Sequence, residues 1–213
     1  MNDSLTLSEK LDSIKAWLGT GSINIFGLPM SGKDTVGVRL AEDLDAKFLS
    51  SGLIIRAMES ANRERLTSSG ELIPSDVFYE WILPYFEREE LRDFPLILSS
   101  IGRWKGEEDR VLESAETSGH EIKAAVILNV SEADVEERWN VVRNSSAAAF
   151  ERGSRSDDKD PVVFQKRIAE FRKKTLPVIL KYKQLGLLVE VKADMDRETV
   201  YQELVDRLYA FIN

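Results

Sequence analysis

The chain has 213 residues, of which 43% are hydrophobic and 31% charged, a composition typical of a globular protein with a substantial core. The net charge of −8 argues against a broad nucleic-acid surface, so an anionic ligand must be held by a local group of basic side chains. With no cysteine and a single histidine, His120, thiolate and histidine metal clusters are not expected. We find no secretory signal and no membrane-spanning run, and we expect a cytoplasmic protein whose partners are neither nucleic acid nor membrane.

Residues 1–21 predict an amphipathic helix that precedes the first strand and is stopped by Gly19 and Gly21. One face of this helix carries the apolar residues Leu7, Leu11, Ile14 and Leu18. We expect this face to pack on the core or to cap a sheet edge, and a dimer contact is the alternative. The chain as a whole is expected to be a monomer.

Short apolar runs that alternate with helical segments predict a parallel sheet with helices on both faces. The predicted strands are Ile23–Phe26, Lys47–Ser50, Phe94–Leu98, Lys123–Val130 and Leu187–Val191. In such a sheet the connections are right-handed, and ligands bind outside the carboxyl ends of the strands.

Two helical segments contain or begin with proline. A helix starts near Pro74, and Pro84 inside it predicts a kink or an early end. A long helix is predicted from about Pro161 to Gln184. Before it, residues 144–160 are small, polar and charged, which is typical of a mobile loop.

The stretch Gly27–Thr35 joins the first strand to a helix and has the sequence Gly-Leu-Pro-Met-Ser-Gly-Lys-Asp-Thr. Glycines at both ends let the backbone turn its N–H groups inward, and the new helix adds its positive end. Lys33 supplies a mobile charge for outer phosphate groups. Strand, glycine-bounded loop and helix together predict a phosphate site, and the alternative is a tight turn that happens to carry a lysine.

Two further segments follow predicted strands. Ser51–Arg56 comes after the second strand and Ser99–Arg103 after the third. Because parallel strands end at the same edge of a sheet, both segments should lie beside the phosphate loop. The sequence therefore predicts one site built from three loops.

Several segments, in the same order, resemble the adenylate kinase family of nucleoside monophosphate kinases. Gly27–Thr35 is similar to the family's phosphate loop, and Ser51-Gly52 with Arg56 is similar to its monophosphate-site segment. Leu98–Arg103 lines up with the family's Asp-Gly-Phe-Pro-Arg segment. Arg155-Ser156-Asp157-Asp158 matches the Arg-x-Asp-Asp at the end of the family's lid, and the match continues through Arg167 and residues 177–182. The resemblance runs from about Ile23 to the C-terminus and leaves only the first helix outside.

This resemblance implies a P-loop NTPase core, with a five-stranded parallel sheet and helices on both faces. It implies one kinase domain over 1–213, with a small monophosphate-binding helical insertion at 51–90 and a short lid at 144–157. The implied activity is transfer of the γ-phosphoryl group of ATP to a nucleoside monophosphate, most simply AMP, with Mg²⁺ bound together with ATP.

The resemblance also assigns roles to individual residues. The implied ATP-binding residues are Gly27, Pro29, Met30, Ser31, Gly32, Lys33, Asp34 and Thr35. The implied monophosphate-binding residues are Ser51, Gly52, Arg56, Ile73, Arg103 and Glu107. The implied catalytic residues are Lys33, Arg103, Arg138, Arg155 and Arg167. Each arginine could instead be solvated or make a weak surface pair.

Three residues depart from the family's pattern or leave a role open. Ser99 stands where the family has an aspartate that helps to fix the magnesium hydration shell. We hypothesise that Asp34 interacts with Mg²⁺ instead, directly or through water, although an aspartate at a helix N-terminus is also favoured by the dipole. Glu107 stands where the family has an adenine-reading glutamine, and an ionised glutamate can accept a hydrogen bond from an amino group without donating one. Adenine and cytosine both remain compatible with Glu107.

Two other functions fit parts of the sequence. A nucleotide-binding protein that has lost turnover is suggested by Ser99 and by the altered Gly102. A kinase for UMP, CMP or another small acceptor is a further alternative, and a small-acceptor kinase explains the phosphate loop but not Arg155-Ser156-Asp157-Asp158. Ile73, which follows Leu72, can form a pocket wall for the acceptor base or a core contact.

Overall fold

The computed structural model describes residues 5–62, 66–144 and 160–213. Its sheet has five strands, and every pairing between neighbouring strands is parallel. The strands are β1 (Ser22–Gly27), β2 (Lys47–Ser50), β3 (Leu96–Ser99), β4 (Ile122–Asn129) and β5 (Leu188–Lys192), in the order β2-β3-β1-β4-β5. The predicted α/β class and five-stranded parallel sheet are confirmed.

The register aligns the carboxyl ends of β2 and β3 with the last residues of β1 before the phosphate loop. Ser99, the last residue of β3, pairs with Ser50, the last residue of β2, and with Ile25, which lies two residues before the end of β1. The loops that follow these strands therefore leave the sheet at the same edge, as the strand-end pattern predicts.

Helices cover both faces of the sheet. They are α1 (Leu7–Leu18), α2 (Lys33–Asp43), α3 (Ser51–Asn62), α4 (Ser75–Trp81), α5 (Glu107–Thr117), α6 (Glu132–Asn144), α7 (Pro161–Glu170), α8 (Leu176–Gln184) and α9 (Arg197–Ile212). Buried residues of α1, α2 and α9 form one apolar cluster with the sheet, and those of α3, α4, α5 and α8 form another. A third, smaller cluster packs α6 and α7 around Leu28 beside the phosphate loop.

The N-terminal helix belongs to the core. Ile14 and Leu18 of α1 are fully buried, and the helix packs along α9. The ring of Trp17 meets that of Phe211 edge to face, with 6.2 Å between centroids. The apolar face of α1 is thus covered within the chain. Of the two possibilities for this helix, packing on the core and a dimer contact, the structure shows packing on the core.

Proline divides both of the long helical segments. The segment that starts after Pro74 forms α4, which ends at Trp81, and a 3₁₀ turn at Leu83–Glu87 contains Pro84. The early end that Pro84 predicts is therefore confirmed.

The segment from Pro161 to Gln184 is α7, a π-helical turn at Phe171–Thr175 and α8, rather than one uniform helix. Pro177 lies just after this turn. It lacks an amide hydrogen, and its ring crowds the carbonyl group four residues earlier, so the regular hydrogen-bond ladder cannot run through it. The prediction of a single α-helix is corrected at this point.

Within the described residues, no helix combines the length and the apolar character needed to cross a membrane.

The loop between α3 and α4 contacts α7 through side chains and backbone. Lys166 forms an ion pair with Glu71 over 2.5 Å, and this contact lowers the pKa of the Glu71 carboxyl group. The backbone N–H of Leu72 donates to Glu170 over 3.4 Å. Gly70 lies so close to α7 that a Cβ atom there would be 2.8 Å from the carbonyl oxygen of Val163. This loop is therefore fixed against α7 at several points.

We predict that Gly70→Ala destabilises the protein more than Gly119→Ala. Both glycines have φ of +83°, so both alanines are strained, but a Cβ at Gly119 meets no atom within 4 Å. The difference isolates the contact with Val163 and should be about 1 kcal/mol or more, the size found at overpacked sites. Urea unfolding of the two variants measures it, and equal losses would mean that the loop moves away from α7 without cost.

Candidate active site

A cavity of about 560 Å³ opens where the loops after β1, β2 and β3 meet. This volume lies within the usual range of small-molecule sites. The predicted site residues that line it are Gly27, Pro29, Met30, Gly32, Lys33, Asp34, Thr35, Ser51, Gly52, Arg56, Ile73, Arg103, Glu107 and Arg167. The structure thus gathers all six predicted acceptor residues and every predicted loop residue except Ser31 around one space.

The loop from β1 to α2 turns closely around Ser31. A Cβ atom at Gly27 would lie 2.4 Å from Ser31 Oγ, so this turn has room only for glycine. Ser31 is buried beneath the loop, and α2 starts directly after Gly32. No side chain in the described part of the chain caps α2, so its positive end lies at the cavity wall beside Lys33. This arrangement suits an anionic ligand.

Asp34 and Ser99 are in direct contact. The Ser99 hydroxyl group donates a hydrogen bond to Asp34 Oδ1, and Ser99 itself is only 1% exposed. Asp34 is in the first turn of α2 and Ser99 ends β3, so the bond joins the phosphate-loop helix to the central sheet. The two residues singled out in the sequence for a possible exchange of roles are neighbours.

Arg103 connects the two predicted acceptor segments. Its Nη2 donates to Ser51 Oγ over 2.6 Å, and its Nε donates to the carbonyl oxygen of Ser100 over 3.2 Å. Ser51 begins α3, whose next turn carries Arg56 at the same cavity. The guanidinium group of Arg103 is therefore held between the start of α3 and the end of β3.

Glu107 lines the cavity but supports its own loop. The backbone N–H groups of Arg103 and Trp104 donate to Oε2 over 2.7 and 3.0 Å, and the Ser75 hydroxyl group donates to Oε1 over 2.7 Å. Glu107 is 2% exposed. These contacts tie α4 to the Arg103 loop, while reading of the acceptor base by Glu107 stays a prediction.

Ile73 lies in the core and at the cavity wall at once, and its contact with an acceptor base stays a prediction. It is buried within the apolar cluster under α3, α4, α5 and α8, and it also lines the cavity together with Leu72. A core contact and a pocket wall are therefore compatible at this position.

Sequence reasoning missed one wall of the cavity. Trp104, Glu170 and Thr175 line it, and Lys174 places its ammonium group 3.7 Å from the centre of the Trp104 ring. Lys174 also forms an ion pair with Glu170 four residues earlier. The four-residue spacing of Glu170 and Lys174 is present in the sequence. No sequence pattern, however, shows that this part of the long helical segment faces the loops with the predicted acceptor residues.

The other predicted arginines lie in different places. Arg138 of α6 donates to the carbonyl oxygens of Ala193, over 2.6 Å, and of Ser31, over 3.4 Å. It lines a second cavity of about 500 Å³, which shares Met30, Gly32 and Thr35 with the larger cavity, and it is not among the residues that line the larger one. Arg155, with Asp157, Asp158 and nearly all of the predicted lid at 144–157, lies outside the described residues.

Comparison with known proteins gives consistent relatives. The chain is 29% identical to the adenylate kinase of Thermus thermophilus over 194 residues, which cover 88% of this chain and 97% of the relative. It is 26% identical to the adenylate kinase of Bartonella tribocorum over 170 residues (77% and 87%). It is also 27% identical to the UMP-CMP kinase of Lentinula edodes over 197 residues (85% and 82%). No protein-family model matches the chain.

Among solved structures, a gluconokinase from Sinorhizobium meliloti 1021 has the same fold, with a TM-score of 0.57 and 19% identity, and the match covers 90% of this chain and 93% of that one. Fold, phosphate loop and relatives together define an ATP-dependent kinase with a P-loop core. Within this class, the resemblance to the adenylate kinase family is confirmed over most of the chain.

We predict that Gly27→Ala weakens ATP binding by about tenfold or more while the sheet remains folded, because the added methyl group displaces Ser31 and with it the loop. Isothermal titration with ATP measures the affinity, and circular dichroism checks the fold. Adding Ser31→Ala to this variant removes the closest clashing atom and should restore part of the affinity. Unchanged ATP binding in Gly27→Ala would contradict the assigned loop geometry.

Proposed function

We propose that the protein is a nucleoside monophosphate kinase, which transfers the γ-phosphoryl group of ATP to a nucleoside monophosphate, with AMP as the favoured acceptor. The observation that carries this proposal is that a single cavity is lined both by the phosphate loop and by Arg56 and Arg103. Two anionic groups can then approach each other between positive side chains. Relatives named adenylate kinase and UMP-CMP kinase support the same reaction class.

The reaction needs mainly positioning and charge neutralisation. An oxygen of the acceptor phosphate bonds to the γ-phosphorus while the bond from that phosphorus to the bridging oxygen breaks, and ADP leaves. In this proposal Lys33 holds the outer phosphates of ATP, and Arg56 and Arg103 hold the acceptor phosphate. The contacts of Arg103 with Ser51 and with the Ser100 carbonyl fix its planar group before the acceptor arrives.

The remaining basic residues belong to the proposal with different support. Arg167 lines the cavity from α7, and in this proposal it neutralises charge on the transferring group. Arg138 donates to the Ser31 carbonyl group, so in this proposal it supports the donor loop. The insertion at 51–90 would form the acceptor subdomain, and Arg155 would act from the lid at 144–157.

Mg²⁺ is the metal expected with ATP, and when bound it would neutralise negative charge on the phosphates. Among the described residues, no group of three or more His, Cys, Asp or Glu side chains could hold a metal ion. This fits magnesium, which is usually held by phosphates, water and one or two carboxylates rather than by an all-protein cage. Asp34 is a carboxylate at the cavity wall next to Lys33, so the residues present fit a metal that arrives with the nucleotide.

A pyrimidine monophosphate is the second candidate acceptor. Both oxygens of Glu107 already accept hydrogen bonds from Ser75 and from the backbone of Arg103 and Trp104. These contacts compete with reading of the base by Glu107, so in this alternative the base is selected by the wall that Trp104 and Glu170 form. The relative named UMP-CMP kinase makes UMP and CMP the natural alternatives to test.

The deciding experiment combines the purified protein with ATP, Mg²⁺ and one acceptor at a time, and follows ADP. We expect turnover with a nucleoside monophosphate, fastest with AMP, and none with gluconate. Lys33→Ala should lower turnover by about a hundredfold or more, as loss of a charge-stabilising group does. The control Lys183→Ala removes an exposed lysine paired with Glu190 and should leave turnover unchanged.

Each other outcome has a distinct meaning. ATP binding without turnover on any monophosphate would support a nucleotide-binding protein and overturn the kinase proposal. Turnover only with a different small acceptor would keep the kinase class and reject a monophosphate acceptor. Full activity in Lys33→Ala would show that the donor site is elsewhere.

A further inference from the structure

We infer that Asp34 and Ser99 divide between them the task of presenting a carboxylate to the magnesium ion of the ATP complex. Asp34 supplies the negative group, in direct contact with the metal or through water, and Ser99 is a positioning residue that holds it. This inference deepens the proposed function and rests on ATP being the phosphoryl donor.

The position of the carboxylate is set by the hydrogen bond between Ser99 and Asp34. Ser99 is buried at the end of β3, where its register with Ile25 and Ser50 fixes the direction of the strand. Its hydroxyl group donates to Asp34 Oδ1. The Asp34 carboxylate is therefore held one hydrogen bond away from the end of the Ser99 side chain. An aspartate at position 99 would place its own carboxylate at the end of β3. Here β3 ends in a serine, and the carboxylate at this point comes from Asp34 of α2 instead.

Electrostatics point to a cation between this carboxylate and the nucleotide. Asp34 directly follows Lys33 at the wall of the cavity that is proposed to hold the phosphates of ATP. A carboxylate beside a triphosphate is repelled by it, because like charges a few ångströms apart repel each other at the dielectric constant of a protein surface. The N-terminus of α2 favours Asp34 when the cavity holds no anion, but it does not remove this repulsion.

A divalent cation converts the repulsion into attraction. Magnesium takes oxygen ligands. It usually keeps several water molecules and is bound by substrate phosphates and by one or two carboxylates. The Ser99 hydroxyl group occupies one oxygen of Asp34 and so restricts the rotation of the carboxylate. A fixed carboxylate loses less conformational freedom when it contacts the metal or its water shell, which is the advantage that a positioning residue gives.

Substitutions at the two positions separate this role from a purely structural one. Asp34→Asn keeps an oxygen that accepts from Ser99 but removes the charge. Ser99→Ala removes only the hydroxyl group, and Ser99→Thr retains it. The double variant Asp34→Ser/Ser99→Asp exchanges the two side chains and returns a carboxylate to the same corner with a hydroxyl group beside it.

The matched controls lie on α1, away from the cavity. There the Thr6 hydroxyl group donates to Glu9 Oε2 over 2.8 Å, so this helix N-terminus carries the same kind of hydroxyl–carboxylate pair. Thr6→Ala and Glu9→Gln remove that pair without touching the proposed site. Thermal unfolding of every variant shows which of them are folded at the assay temperature.

The test measures nucleotide binding rather than turnover. Affinity for the imido analogue of ATP is determined by titration calorimetry with Mg²⁺ and with EDTA, and electron paramagnetic resonance reports the affinity of Mn²⁺ for the protein–nucleotide complex. For Asp34→Asn we expect metal-free affinity equal to or higher than that of the unsubstituted protein. The gain in nucleotide affinity from metal, and the Mn²⁺ affinity, should fall about tenfold or more, the size of one charge-assisted contact.

The other variants should follow in order. Ser99→Ala should lose part of the increase in nucleotide affinity that Mg²⁺ causes, whereas Ser99→Thr should retain this increase. The controls Thr6→Ala and Glu9→Gln should also retain it. The double variant Asp34→Ser/Ser99→Asp should recover most of it. Metal dependence that is unchanged in Asp34→Asn, or an equal loss with Mg²⁺ and with EDTA, would overturn the inference and would leave the kinase proposal standing. If the unsubstituted protein bound metal and nucleotide as expected but turned over no monophosphate, the kinase proposal would fail and the inference would hold for ATP binding. Failure of the unsubstituted protein to bind the nucleotide would overturn both.

Discussion

The pairing of β1, β3 and β2 in one register is the constraint on which the rest of the site depends. Because Ile25, Ser99 and Ser50 lie in one row, the phosphate loop, the Arg103 loop and the start of α3 leave the sheet together. Arg103 can then reach Ser51, and Ser99 can reach Asp34. A shift of one strand by a single residue would turn Ser99 to the other face of the sheet and break this meeting point.

The cavity carries charges of both signs. In the described part of the chain, four basic side chains line it, together with four acidic ones: Lys33, Arg56, Arg103 and Arg167, and Asp34, Glu71, Glu107 and Glu170. Glu71 and Glu170 each form an ion pair with a lysine, and Glu107 accepts hydrogen bonds from Ser75 and from the backbone of the Arg103 loop. Asp34 accepts from the Ser99 hydroxyl group, which gives its carboxylate a defined orientation. The proposed chemistry therefore depends on the basic side chains for the phosphates and on the placement of Asp34 beside Lys33.

Short-range patterns carried much of what could be predicted from the sequence. Strand periodicity, the glycines of the phosphate loop and Pro84 act through nearest neighbours, and the structure agrees with them. The contacts of Glu107 with Ser75, and of Trp104 with Lys174, join residues far apart in the chain, so no local pattern shows them. The sequence identifies Arg138 as a basic residue on a helix. Its hydrogen bond to the Ser31 carbonyl group depends on how α6 packs beside the phosphate loop, which the sequence does not show.

The proposed site holds the phosphoryl donor and the acceptor in one cavity at the same time. A bisubstrate ligand, which joins both nucleotides in one molecule, tests this most directly. A compound with two adenosines joined through five phosphates can span both halves of such a site. Calorimetry should show one molecule bound per chain, far more tightly than ATP, with loss of both ATP and AMP binding in its presence. Affinity no greater than that of ATP, with AMP still able to bind, would contradict a two-nucleotide site.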